Sequence, residues 1–302
     1  MKTLLVVALL IFAAGINTPA YGEPLHDADA TPMNAPNDAA GILQSSHDPG
    51  ELLRVATQLA GSSKASEQHV LSQALTSDNF LLRLNTAEEY NGQPKRLRLS
   101  RIIDELRRNP SAVSRATLLA LTQSPTFIQQ GGRVDLLLAA TAVIRPAPPE
   151  LVAFWDRHSQ PEDGFTPLTI HALIENGSEP ALHLFEKKLA DPRHEDDFKL
   201  DWMHSEIMPH RNSLAVLVSC DRLLHGGLPT HLRGDLVESL FDYRPGIWFT
   251  PASNHLAPTL ASYSPEARAE WRKLGLFAIE HVTLTPSQRA AVEATLKLLG
   301  KD

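Results

Sequence analysis

The sequence predicts an all-α protein, an α-solenoid of stacked antiparallel helix pairs with one non-helical insertion before the last two helices. Three observations carry that expectation. Beyond Asp48, runs of about ten to sixteen residues place apolar side chains at i, i+3, i+4 and i+7, as at Leu99, Ile102, Ile103 and Leu106, the spacing that gathers them on one helical face. No run alternates with the period of two that a half-buried strand needs. Prolines stand directly after residues able to cap a helix, and one outline of large, small and punctuating residues recurs along the chain.

The chain begins with Lys2, an unbroken apolar run from Leu4 to Ala14, and small residues at Ala20 and Gly22. That is the make-up of a secretory signal peptide spanning residues 1–22, cleaved after Gly22. It predicts an exported protein, periplasmic in a Gram-negative bacterium and secreted otherwise. The apolar run is shorter than the roughly 20 residues of a bilayer-spanning helix, and no later run is long enough. No membrane insertion is therefore expected. Residues 23–47 are rich in Ala, Asp, Asn and Pro with scattered hydrophobes, too little apolar surface to offset the entropy of ordering, so they read as a disordered leader.

Residues 48–302 read as a single helical repeat domain. Its helix starts are Asp48-Pro49, Asn109-Pro110, Ser124-Pro125, Thr166-Pro167, Ser264-Pro265 and Thr285-Pro286. Proline is tolerated at the first helical position because its missing N–H would have no intrahelical partner there, while the preceding side chain accepts from the next amides. Asp48 with Glu51 and Thr285 with Gln288 add the spacing of a capping box.

The repeat shows most clearly when Ala142-Val143-Ile144 is set against Ala172-Leu173-Ile174, and Leu151 to Trp155 against Ala181 to Phe185. In each, a helix ends, a short turn follows, and a second helix begins with large apolar groups on one face. A looser copy runs through "IIDELRRNPSAVSRATLLAL" and "SEIMPHRNSLAVLVSCDRLL". A pair this short cannot bury its apolar face alone, which is the physical reason to stack it on similar pairs. This outline resembles the HEAT and armadillo-like repeat families over roughly Asp48 to Leu240, although the Asp and Arg of well-formed HEAT repeats are not regularly placed. The resemblance implies a superhelix of paired antiparallel helices. An irregular helical bundle is the competing arrangement.

Charge and composition narrow the function classes. A formal net charge of −7, made more negative by loss of Lys2, argues against nucleic acid, because neutralising phosphates needs a basic field. Cys220 is the only cysteine, so no disulfide forms within the chain, and its place in an apolar helical run predicts a buried, inert thiol. Asn176-Gly177-Ser178 is a glycan acceptor motif that matters only in a eukaryotic secretory pathway. The segment Lys95–Arg108 is basic, and Asp191, Glu195, Asp196, Asp197 and Asp201 form an acidic run; both read as solvated faces, or as a docking ridge for a partner.

Signals of chemistry are sparse. Met203, His204, Glu206, Met208 and His210 lie close in sequence, soft and imidazole ligands that would suit copper. However, His204 and His210 fall on different helical faces and Pro209 is expected to end the helix between them, so no metal site and no cofactor is expected. His225-Gly226-Gly227 lacks an accompanying Gly-x-Ser-x-Gly turn, and His194-Glu195 lacks the second histidine of a zinc helix. Residues 242–264 interrupt the helical rhythm with Pro245, Pro251 and Pro258. Tyr243, Trp248, Phe249, Asn254 and His255 within it are either a cap on the helical stack or one wall of a binding site. The expected function is a scaffold that binds a protein or peptide partner. The alternative is a small-ligand binder, or an enzyme such as one acting on glycans, with its pocket near that insertion.

Overall fold

A computed structural model describes residues 36–84, 89–90, 93–125, 127–128, 134–241 and 263–300. In chain order the helices are α1 (Pro36–Ser45), α2 (Pro49–Ala60), α3 (Ala65–Leu75), α4 (Asp78–Leu84), α5 (Lys95–Arg108), α6 (Ala112–Thr122), α7 (Val134–Thr141), α8 (Pro149–Arg157), α9 (Thr166–Asn176), α10 (Glu179–Ala190), α11 (Asp196–Trp202), α12 (Leu214–Arg222), α13 (Arg233–Phe241), α14 (Pro265–His281) and α15 (Pro286–Leu299). Helix α11 runs on through a π-turn, Met203–Ile207, into Met208–His210. The fold class is all-α. A single two-residue ladder, β1 (Glu89–Tyr90) against β2 (Gln93–Pro94), is the one departure among the described residues.

From α2 to α15, the helices other than α4 and α11 fall into two rows. In the first, α2, α5, α7, α9, the Met203–His210 segment, α13 and α15 each touch the next. In the second, α3, α6, α8, α10, α12 and α14 do the same. Chain order alternates between rows, so each turn from first row to second marks one helix pair. Trp155 on α8 and Phe185 on α10 are both buried in adjacent second-row helices, and Leu99, Ile102, Ile103 and Leu106 are all core residues of α5.

The pairs are also joined by polar contacts that repeat. At the end of α5, Asn109 Nδ2 donates to the Ser62 carbonyl in the preceding turn, at 2.7 Å. At the end of α9, Asn176 Nδ2 donates to the carbonyls of Ala142 and Ile144, at 2.9 and 2.8 Å. Two residues after each Asn, a serine stands immediately before a second-row helix. In the second row, Asp156 on α8 pairs with Lys188 on α10, Glu186 on α10 with Arg222 on α12, and Asp221 on α12 with Lys273 on α14, each at 2.6 Å.

Helix α1 corrects the expected disordered leader over residues 36–45. Ala39 and Leu43, four apart, are 1% and 2% exposed, and α1 packs on α2 and α3. The guanidinium of Arg83 donates to the carbonyls of Leu43 and Ser46, satisfying acceptors that the helix end leaves open. The signal segment and residues 23–35 lie outside the described residues. No described helix is long and apolar enough to cross a membrane.

Four of the proline-marked starts are as the sequence reads. Asp48 caps through Gly50 N, Ser124 through Phe127 N and Ser264 through Ala267 N, and Thr285 with Gln288 completes a capping box. Three details differ. The amide of Asp48 is taken by Ser46, which also engages Glu51, so no capping box closes there. The start at Asn109-Pro110 moves to Ser111, because Asn109 is committed to the preceding turn. Thr166 is the first helical residue rather than the cap, its hydroxyl donating to Gln160 O.

Candidate functional site

Helix α9 is enclosed by its neighbours, so little of it meets solvent. Ile170, Ala172, Leu173, Ile174 and Asn176 are buried, which leaves His171 and Glu175, one turn apart, on its open stripe. The next first-row element supplies the partner. In the π-turn, Met208 N reaches back to Met203 O; Met203 and Ile207 lie in the core, while Glu206 is half-buried beside α9.

His171 is held between two carboxylates. Its Nδ1 lies 2.9 Å from Glu206 Oε2 and its Nε2 3.4 Å from Glu175 Oε2. Bonding to Glu175 and then to Glu206, against the opposing effect of burial, raises the imidazole to about 10. At neutral pH His171 is therefore a fixed imidazolium with no lone pair to act as a base. Glu175 is held below the usual carboxylate range by the His171 bond, against burial, with the charges of Arg107 and Arg145 adding to it.

Beside this cluster runs an open cleft of about 470 Å³ that crosses three successive turns between the rows. Arg145 and Pro146 line it from the turn after α7, Ile174 to Ser178 from the end of α9, and His210 and Ser213 from the turn before α12. Each wall is positioned by a local bond. Arg145 donates to the Glu175 carbonyl, Ser178 Oγ accepts from Ala147 N at 3.2 Å, and His210 Nδ1 lies 2.8 Å from Glu206 O. Gly177 turns the chain at φ +64, a left-handed conformation that costs a side chain. Guanidinium, imidazole and hydroxyl groups over the apolar surface of Pro146 and Ile174 can grip a ligand with both polar and apolar parts.

The sequence-predicted site residues Tyr243, Trp248, Phe249, Asn254 and His255 lie outside the described residues. At the edge of that segment, Tyr263 is buried with its ring centroid 6.2 Å from that of Trp271. The five residues weighed as copper ligands do not converge: Met203 is core, His204 is exposed, Glu206 serves His171, Met208 is half-buried, and His210 bonds to backbone. The helix also passes Pro209 rather than ending there. Among the described residues no group of three or more His, Cys, Asp or Glu is arranged to hold a metal ion.

His225 stacks on Phe277 at 3.9 Å, and Gly226-Gly227 closes a helix through Leu228 N to Leu223 O. Cys220 is fully buried, and burial pushes its thiol far up, so it stays protonated. Sequence reasoning missed the His171, Glu175 and Glu206 cluster. Its signal was a His and a Glu at helical i, i+4 spacing with a second Glu one helix pair onward. Comparisons with protein-family models, with curated proteins and with solved structures find no match to this chain.

Proposed function

We propose that the chain is an exported α-solenoid scaffold that holds a protein or peptide partner in the cleft across its turns. Two rows of helices, each helix touching the next along its row, support a solenoid resembling the HEAT and armadillo-like families. The observation that carries the reading is the cleft itself. It runs across consecutive helix pairs, so a ligand filling it meets the same kind of turn several times, as an extended chain would. His171, charged and immobilised, supports a binding role over acid–base chemistry.

Panning a random peptide library against the folded chain tests this. Ser213→Trp fills the cleft from its edge, and Arg145→Glu reverses its one guanidinium. Peptides retained by the wild-type chain should bind each variant at least about tenfold more weakly, or about 1.4 kcal/mol. Equal binding to wild type and both variants, or no retained peptide at all, rejects the proposal.

A further inference from the structure

Helix α11 is seven residues long, and only Lys199 and Trp202 on it are fully buried. The loop before it contributes a third anchor, His194, which is 4% exposed. Its ring meets that of Trp202 edge-on, centroids 5.0 Å apart. His194 Nε2 is buried with no hydrogen-bond partner, and so is Trp202 Nε1. Two ammonium groups are enclosed nearby: Lys188 on α10, 1% exposed, and Lys199 on α11, 2% exposed.

The acids around them are already engaged. Asp156 on α8 is paired with Lys188 at 2.6 Å. Asp191 is paired with Arg193 at 2.6 Å. Asp196 lies 3.5 Å from Lys199 and 2.8 Å from His231 of the short 3-10 turn Thr230–Leu232. A proton on His194 would place a third cation in this enclosure, with an N–H that has no acceptor.

We propose that His194 is an acid-sensitive latch, neutral when α11 is docked and forcing the Asp191–Trp202 segment open when it takes a proton. Burial holds the imidazole below its ordinary 6.5, Asp191 opposes, and Lys188, Lys199 and Arg193 add to the depression. The sign follows. A group whose folded value is depressed contributes stability that is complete above its unfolded value and is lost as pH falls below it. The anchors of α11 are few, which makes this segment the one to open locally before the body unfolds. Because α11 continues into the turn carrying Glu206, opening would draw that carboxylate from His171, a consequence that bears on function only if the cleft is the docking site proposed above.

Hydrogen exchange of the whole chain, without any partner and corrected for intrinsic rates, tests the latch alone. Between about pH 7 and about pH 5, amides of residues 196–207 should lose protection by roughly tenfold or more while those of α9 do not. His194→Phe keeps a ring against Trp202 and takes no proton, so it should retain protection at the lower pH. Unchanged protection in the wild-type chain, or equal loss in His194→Phe, overturns the latch. If His194→Phe does not fold, an NMR titration of the wild-type His194 ring decides: a midpoint below 6.5 supports it, and one at or above that value overturns it.

Discussion

A single amide, that of Asn176, joins two helix pairs. Its side chain is 1% exposed and donates to two carbonyls of the preceding turn, so Asn176-Gly177-Ser178 is a structural clasp in the folded chain rather than an open acceptor for a glycan. Asn109, followed two residues later by Ser111, makes the corresponding bond to one carbonyl, that of Ser62, two pairs earlier in the chain. Asn176→Ala leaves buried carbonyls without a donor and should cost about 1–3 kcal/mol in a urea titration; a change near zero would mean that water or a backbone shift takes over the bonds. His171 makes a prediction in pH. Its folded value of about 10 lies above the ordinary 6.5, so the stability it contributes is complete below 6.5 and is lost as pH rises towards 10. The stability difference between wild type and His171→Gln should therefore shrink across that window. A difference that stays constant with pH would show that the two carboxylates do not clamp the ring.

At the scale of elements, helix starts were legible where the residue before the proline is free to cap its own helix. Thr285 with Gln288 closes its box within four residues, and Ser264 bonds three residues onward. Helix α1 was not legible, because its order depends on partners far along the chain. Two apolar residues in an Ala-, Asp- and Pro-rich stretch predict nothing alone, yet Leu43 is enclosed by α2 and α3, and Arg83 holds the helix end from about forty residues away. Leu43→Ala should cost about 2–5 kcal/mol, measured by chemical denaturation, as for other buried leucines. A neutral result would restore the reading of residues 36–45 as a dispensable leader. The last two helices approach closely at Gly275, where an added Cβ would lie 2.9 Å from a methyl of Leu296. Gly275→Leu should lower stability by about 1–3 kcal/mol through overpacking; a melting temperature equal to wild type would show that α14 and α15 can separate freely.

Over the whole molecule, equivalent positions in successive pairs hold equivalent weight. Trp155, whose Nε1 donates to Thr141 Oγ1 at 3.2 Å, and Phe185 are both buried where the repeat alignment sets them side by side. Truncating either to Ala should cost about 3–5 kcal/mol. In the proposed stack each cost spreads to the neighbouring pair, so the double variant should depart from additivity. Additive costs would argue for pairs that are stable independently.

The sequence by itself determined the class of element, its punctuation and the outline that recurs, because helical period and capping are short-range properties read within a few residues. Tertiary structure alone decided which residues meet across pairs. His171 and Glu206 are thirty-five residues apart, the cleft forms only where three turns of the recurring outline come side by side, and α1 is ordered by a distant arginine. These depend on how each pair stacks on the last, a geometry set by packing between rows rather than by the period of any one helix.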